Sequence, residues 1–252
     1  MSDFRPRSSS EILDAAFEIY RRHFAVFIAI SVFAAIPSGI SSYIGQAAIS
    51  LQQTDGLFIS LLVRLIGLLI SPFTDGAVAC AASAAYLGNP VDFERSVRVA
   101  FSRPGRLFIA MFAKGILIGF GLTLFIAPGL IVFKRYFALP MTVLFEDNSV
   151  GTAMTRSRKL SDGNGTRIFA LIGGVVLFTL LVALTLGQTI TSLSHGAVAA
   201  VATVVLIATI TPFSTIVATL LYYDIRIRRE GYDIELMTQA LNVVSPLLNP
   251  VS

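Results

Sequence analysis

Six apolar blocks organise this chain: Phe24–Ile44, Leu57–Leu87, Leu107–Ala127, Gly129–Phe145, Ile168–Thr191 and Ala197–Tyr223. None alternates polar and apolar residues, so none reads as the strand of a transmembrane barrel. A helix of about 21 residues is roughly 31 Å long, which matches one hydrocarbon core. The pattern predicts an all-α polytopic membrane bundle of about six transmembrane helices. The second block is overlong and broken by Pro72, which predicts a kink, a tilt or a projection beyond the bilayer. The third and fourth blocks touch at "APGL". As one helix they would reach about 58 Å, so a tight hairpin is expected at Pro128-Gly129.

Between the blocks the period changes. In "SSSEILDAAFEIYRRHF", Leu13, Phe17, Tyr20 and Phe24 share one helical face, with Glu18 and Arg22 paired on another. Ser8 and Glu11 form a capping box ahead of it. This predicts a retained amphipathic helix over residues 11–23 and not a cleaved signal, since Glu11, Asp14 and Glu18 precede the first apolar block. Similar amphipathic segments cover 90–102, with Asn89 and Pro90 at its start, and 149–161, capped by Asn148 or Ser149. Gly163 and Gly165 are expected to end the last of these. Each amphipathic helix precedes two spans, so the single domain, 1–252, reads as three helix-plus-hairpin units. A tail over 232–252 follows, with Asp233 capping a short amphipathic helix.

Composition agrees with this picture. The mean hydropathy is +0.78 with 13% charged residues, too apolar for a soluble shell. One cysteine, Cys80, excludes an intramolecular disulfide framework. All but four of the 19 Lys and Arg fall into four clusters, around Arg5–Arg22, Arg95–Arg106, Arg156–Arg167 and Arg226–Arg229. Six spans place all four on one side, and the three opposite loops hold none. The positive-inside rule then predicts a multi-pass protein of the cytoplasmic (inner) membrane with both termini cytoplasmic. The basic clusters would face anionic lipid head groups, which accounts for a pI near 9.5 without nucleic acid.

The four remaining basic residues, Arg64, Lys114, Lys134 and Arg135, fall inside apolar blocks, as does Asp75. A charge there costs about 2.5–3.5 kcal/mol on insertion scales, so each asks for a reason. One reading is a polar cleft for an anion or a lipid head group. The other is snorkelling with interhelical pairing that locks the bundle. Arg64 and Asp75 are eleven residues apart, three helical turns, on one face. Gly115, Gly119 and Gly121, and Gly173-Gly174, are candidate points of close helix approach. Catalytic signatures are missing from the sequence. His23 and His195 belong to opposite membrane faces, and no zincin, nucleophile-elbow or phosphate-loop motif occurs. No metal, no cofactor and no enzymatic activity are expected.

"APGLIVFKRYFALPMTVLFEDNSVGTAMTRSRKLSDGNGTRIFAL", "YYDIRIRREGYDIE" and the N-terminal "EILDAAFEIYRRHF" carry a resemblance. The chain resembles the glycerophosphoryl diester phosphodiesterase membrane-domain family over Glu11 to Glu235, most strongly in the first two segments. Its matching residues are Glu146, Arg156, Ser157, Leu160, Gly163, Tyr223, Asp224, Arg226, Arg229, Glu230, Gly231 and Asp233. The resemblance implies a lipid-related setting and gives these residues structural or interfacial roles. Some members carry a soluble phosphodiesterase domain. Here the membrane unit alone is expected, and no hydrolase activity. Read directly, the last segment predicts Tyr222-Tyr223 at the membrane interface and an Asp224–Arg228 pair. Arg226, Arg228 and Arg229 surround the final turn, and Gly231 closes the helix. The expected function is a non-catalytic membrane protein that associates with lipids or scaffolds a partner, a protein or a second copy of the chain. A transporter or channel for an amphiphile or anion is the alternative.

Overall fold

The computed structural model describes residues 6–124, 126–146 and 149–231, and these contain helices and no strand. α1 (Ser9–Arg22) opens with Ser8 Oγ accepting the Glu11 N–H, while the Glu11 carboxylate accepts the Ser8 N–H at 2.6 Å. The chain bends at His23 into α2 (Phe24–Ser50) and returns as α3 (Thr54–Tyr86). A short α4 (Phe93–Ala100) leads to a second hairpin, α5 (Pro104–Leu124) and α6 (Ile126–Arg135), extended by α7 (Leu139–Phe145). α8 (Val150–Ser161) and α9 (Gly165–Ile168) follow. One π turn (Phe169–Gly173) joins α9 to α10 (Gly174–Leu193), and α11 (Gly196–Glu230) completes the third hairpin. Six stretches are long and apolar enough to cross a membrane: Phe24–Ser50, Thr54–Tyr86, Pro104–Leu124, Ala127–Phe145, Gly165–Leu193 and Gly196–Glu230. The protein is an all-α polytopic bundle. A short helix (α1, α4, α8) precedes each hairpin.

Several local expectations shift. α5 ends at Leu124 and α6 is already under way from Ile126, ahead of Pro128-Gly129. Pro128 instead occupies the first turn of α6, where its missing N–H has no intrahelical partner to lose. Gly129 then lies on α5, and a Cβ on Gly121 would come within 2.8 Å of the Gly129 Cα. Pro72 does not break its helix, and α3 runs 33 residues through it. The carbonyl that Pro72 leaves without an N–H belongs to Leu68, and Ser71 Oγ donates to it at 3.0 Å. The cap of α4 is Asp92, whose carboxylate accepts the Arg95 N–H at 2.8 Å, and not Asn89. A charged cap serves the helix dipole better, and starting there seats Phe93 on Phe33. Ser149 caps α8; Asn148 lies outside the described residues. Gly163 follows α8 at positive φ, whereas Gly165 opens α9. Gly115 and Gly119 have open space beside them. Close approach occurs at Gly121, as expected, and also at Gly39, where a Cβ would strike Val204 and sit 2.8 Å from the Ala200 carbonyl.

α3 and α11, with 33 and 35 residues, are about 50 Å long, well beyond a hydrocarbon core of about 30 Å. Their composition tells which part projects. In the first half of α3, Leu57, Leu61, Leu65 and Leu68 are exposed, as lipid-facing residues are. Gly76–Ser83, by contrast, is small-residue rich and wholly enclosed. Ile216, Leu220, Tyr222 and Ile225 of α11 are equally enclosed, together with Ile12 of α1, Leu160 of α8 and Ile168 of α9. The densest core therefore lies at one end of the bundle, called here the charged end, where the short helices wrap the projecting ends of α3 and α11. α1 packs against α11 there. Its Ile12–Ala16 face packs along α11, with the Arg7 N–H on Asp224 at 2.7 Å and the Tyr20 hydroxyl on the Thr209 carbonyl at 2.6 Å.

Candidate functional site

α11 delivers Tyr222 to Glu230 into the charged end as continuous helix, and the chain leaves it at Gly231, φ 61°. Helical spacing points Tyr222, Arg226 and Glu230 one way and Asp224 and Arg228 another. Two linked networks result. In the first, Glu146, at the C-terminus of α7, accepts the Tyr222 hydroxyl at 2.7 Å and Arg156 Nε at 2.7 Å. Arg156 also donates to Glu230 at 2.6 Å, and Arg226 Nε lies 3.2 Å from that same carboxylate. Arg226 stands 5.7 Å from the Tyr222 ring centre. Hydrogen bonds to Glu230, and after it to Glu146, raise the Arg156 pKa above its ordinary value against the effect of burial.

The second network centres on Asp224, whose side chain is 2% exposed. Its oxygens accept the Arg7 N–H, Arg228 Nε at 2.9 Å and Arg167 Nη2 at 2.9 Å. Arg228 also donates to the Arg7 carbonyl at 2.6 Å, as does Arg167. The Arg7 guanidinium covers Tyr86, which stacks on Tyr223 at 5.2 Å, and the Tyr223 hydroxyl shares a 2.6 Å hydrogen bond with Ser83. Arg229 reaches across to the Lys159 and Asp162 carbonyls beside Gly163. Ser157, fully buried, donates to the Arg135 carbonyl at 2.9 Å.

The residues that carry the family resemblance thus converge, although Glu146 and Glu230 are far apart in sequence. Asp233 alone lies outside the described residues, with the rest of 232–252. The location expected for Tyr222 and Tyr223 is corrected: both are enclosed, because each ring has a polar partner inside the protein for its hydroxyl. Arg226, Arg228 and Arg229 likewise reach internal acceptors. Sequence reading missed the parts played by Tyr222, Arg167 and the Arg7 backbone. No local signal marks them, since their partners are distant in the chain.

The five intramembrane charges are not gathered in one place. Arg64 and Asp75 line one cavity of about 490 Å³ between α2, α3 and α11. Asp75 is within electrostatic reach of Lys114 on α5. Lys134 and Arg135 end α6 at the charged end, with the Lys134 side chain against Gly165 and the Arg135 backbone on Ser157. The hydroxyls lining the cavity, Ser31, Ser38, Ser71, Thr74 and Thr211, do have a sequence signal. Ser31 and Ser38 are seven apart on α2, and Arg64 and Ser71 seven apart on α3, which is a polar stripe inside an apolar block. Among the described residues no group of three His, Cys, Asp or Glu is placed to hold a metal ion.

Comparison with protein-family models, with curated proteins and with solved structures finds no match to this chain.

Proposed function

We propose that the chain is a non-catalytic integral membrane protein with a lipid-related, scaffolding role, and that the charged end is its cytoplasmic platform. One observation carries this reading: Glu146, Asp224 and Glu230 are each engaged by arginines inside the platform. Carboxylates held this way serve architecture, and none is left poised as a general acid or base. Around them Arg21, Arg22, Arg95, Arg158 and Lys159 stay exposed, a surface suited to anionic head groups of the inner membrane. The resemblance to the membrane unit of the glycerophosphoryl diester phosphodiesterase family supports the same setting, because its matching residues are those that close the two networks. A protein partner, or a second copy of the chain, would dock on this platform.

Native mass spectrometry of gently extracted protein tests the role. Retained anionic phospholipid or a retained protein partner is expected. A bare polypeptide, or turnover of glycerophosphodiesters by the purified chain, would overturn the reading.

Orientation has its own test. With Cys80 replaced by Ala, single cysteines go at Ser2, Thr54, Ser192 and Ser252. An impermeant thiol reagent applied to whole cells should reach only Thr54→Cys and Ser192→Cys, both exposed at the end opposite the platform. Labelling of Ser252→Cys from outside would reverse the assignment.

The alternative role, passage of an amphiphile or anion, is favoured by the cavity at Arg64.

A further inference from the structure

Arg64 sits ten residues into α3, about 15 Å from its Thr54 end, too deep for its head group to rest easily in water. Its side chain is exposed, lines the cavity between α2, α3 and α11, and makes no hydrogen bond or ion pair with any described residue. A guanidinium left bare in hydrocarbon is costly, so its counterpart is to be sought outside the protein. Asp75, in the same cavity, is not that counterpart. It lies eleven residues along the helix, about 16 Å away, and has Lys114 beside it.

The cavity wall is otherwise that of a site for a polar group. Ser31 and Ser38 of α2 have no hydrogen-bond partner among the described residues, and Ser71 and Thr211 add hydroxyls from α3 and α11. Each of the three helices around it carries an interior proline, Pro37, Pro72 or Pro212. On the open side stand Leu61, Leu65 and Leu68, all exposed in the lipid-facing half of α3. A charged fork and hydroxyls inside, with bare leucines at the lip, fit a molecule that is polar at one end and apolar at the other.

We infer that this groove binds the phosphate-bearing head group of an amphiphile. Arg64 grips the phosphate in its planar fork and the serine hydroxyls of α2 complete the shell, while the acyl chains lie along α3 in the bilayer. The shared chemistry is a phosphate oxyanion, which a phospholipid or free inorganic phosphate supplies. The site is independent of the charged-end platform, and it stands or falls separately from it.

Titration calorimetry of the full chain in an uncharged maltoside detergent tests the site with two probes, dioctanoyl phosphatidic acid and inorganic phosphate. One equivalent of the lipid should bind saturably, and millimolar phosphate should not displace it. Arg64→Gln should weaken binding at least tenfold, and Arg64→Lys less, since charge without the fork is only part of the grip. Ser38→Leu, which fills the groove and leaves the charge, should also weaken it and guards against a misfolded Arg64 variant. Thr185→Val, at an exposed position of α10 away from the cavity, should change nothing. Equal binding of inorganic phosphate that depends on Arg64 would keep the anion site and overturn the amphiphile. Unaltered binding in both Arg64→Gln and Ser38→Leu, or an equal loss in Thr185→Val, would overturn the site.

Discussion

Asp224→Ala is expected to be the most damaging single change at the charged end, lowering stability by about 3–5 kcal/mol. Its carboxylate is enclosed and holds the Arg7 N–H together with Arg167 and Arg228. Truncating it leaves the half-buried Arg167 without an opposite charge, which is what makes breaking a buried pair expensive. Arg228→Gln should cost far less, about 1 kcal/mol or under, because that side chain is more exposed. The protein contains its own reporter. Cys80 is the single cysteine of the sequence and is buried in the enclosed Gly76–Ser83 stretch of α3, so a thiol-reactive dye reads its exposure on heating in detergent. Superimposable melting curves for wild type and Asp224→Ala would mean that the network is ornamental.

The second large effect concerns coupling. Glu146→Ala removes the common acceptor of Tyr222 and Arg156 and should cost about 1–3 kcal/mol, because the enclosed Tyr222 hydroxyl then has no acceptor while Arg156 keeps Glu230. Arg156→Met should also destabilise. Combined, the two should cost less than their separate effects added together, by about 0.5–3 kcal/mol. Once both are gone, Glu230 still has Arg226 and no charge is stranded. Strict additivity in the same dye assay would show that Glu146 and Arg156 act independently, against the geometry.

Much of the architecture was legible because its signals are local. Apolar length marks a span, and Ser8 with Glu11, Ser149 and Gly231 are chemical punctuation that works within one helical turn. The Asp224–Arg228 pair was readable for the same reason. Where a local signal misled, the reading slipped. Asn89-Pro90 looks like a helix start, but the helix begins after Asp92, whose side chain reaches the Arg95 N–H. Pro128-Gly129 resembles a turn and is instead the beginning of a helix. The candidate sites were half legible. The residues were identified, but an amphipathic face does not name the surface it covers. Nothing in α1 announces that it packs along α11, and nothing in "YYDIRIRRE" says that its tyrosines face inward. Those facts belong to contacts across the chain, which single-helix periodicity does not encode.

The bond between the Arg7 N–H and Asp224 joins residues 217 positions apart. Ribosomes add about 5–20 residues per second, so the two partners are made roughly 10–40 s apart. Throughout that interval the Ile12–Ala16 face of α1 has no α11 to cover it. A nascent chain that stalls before Asp224 therefore displays an uncovered apolar helix, and a finished one hides it. α1 is therefore the segment whose apolar face an unfinished chain leaves bare, and closing the Arg7–Asp224 bond marks the point at which it is covered.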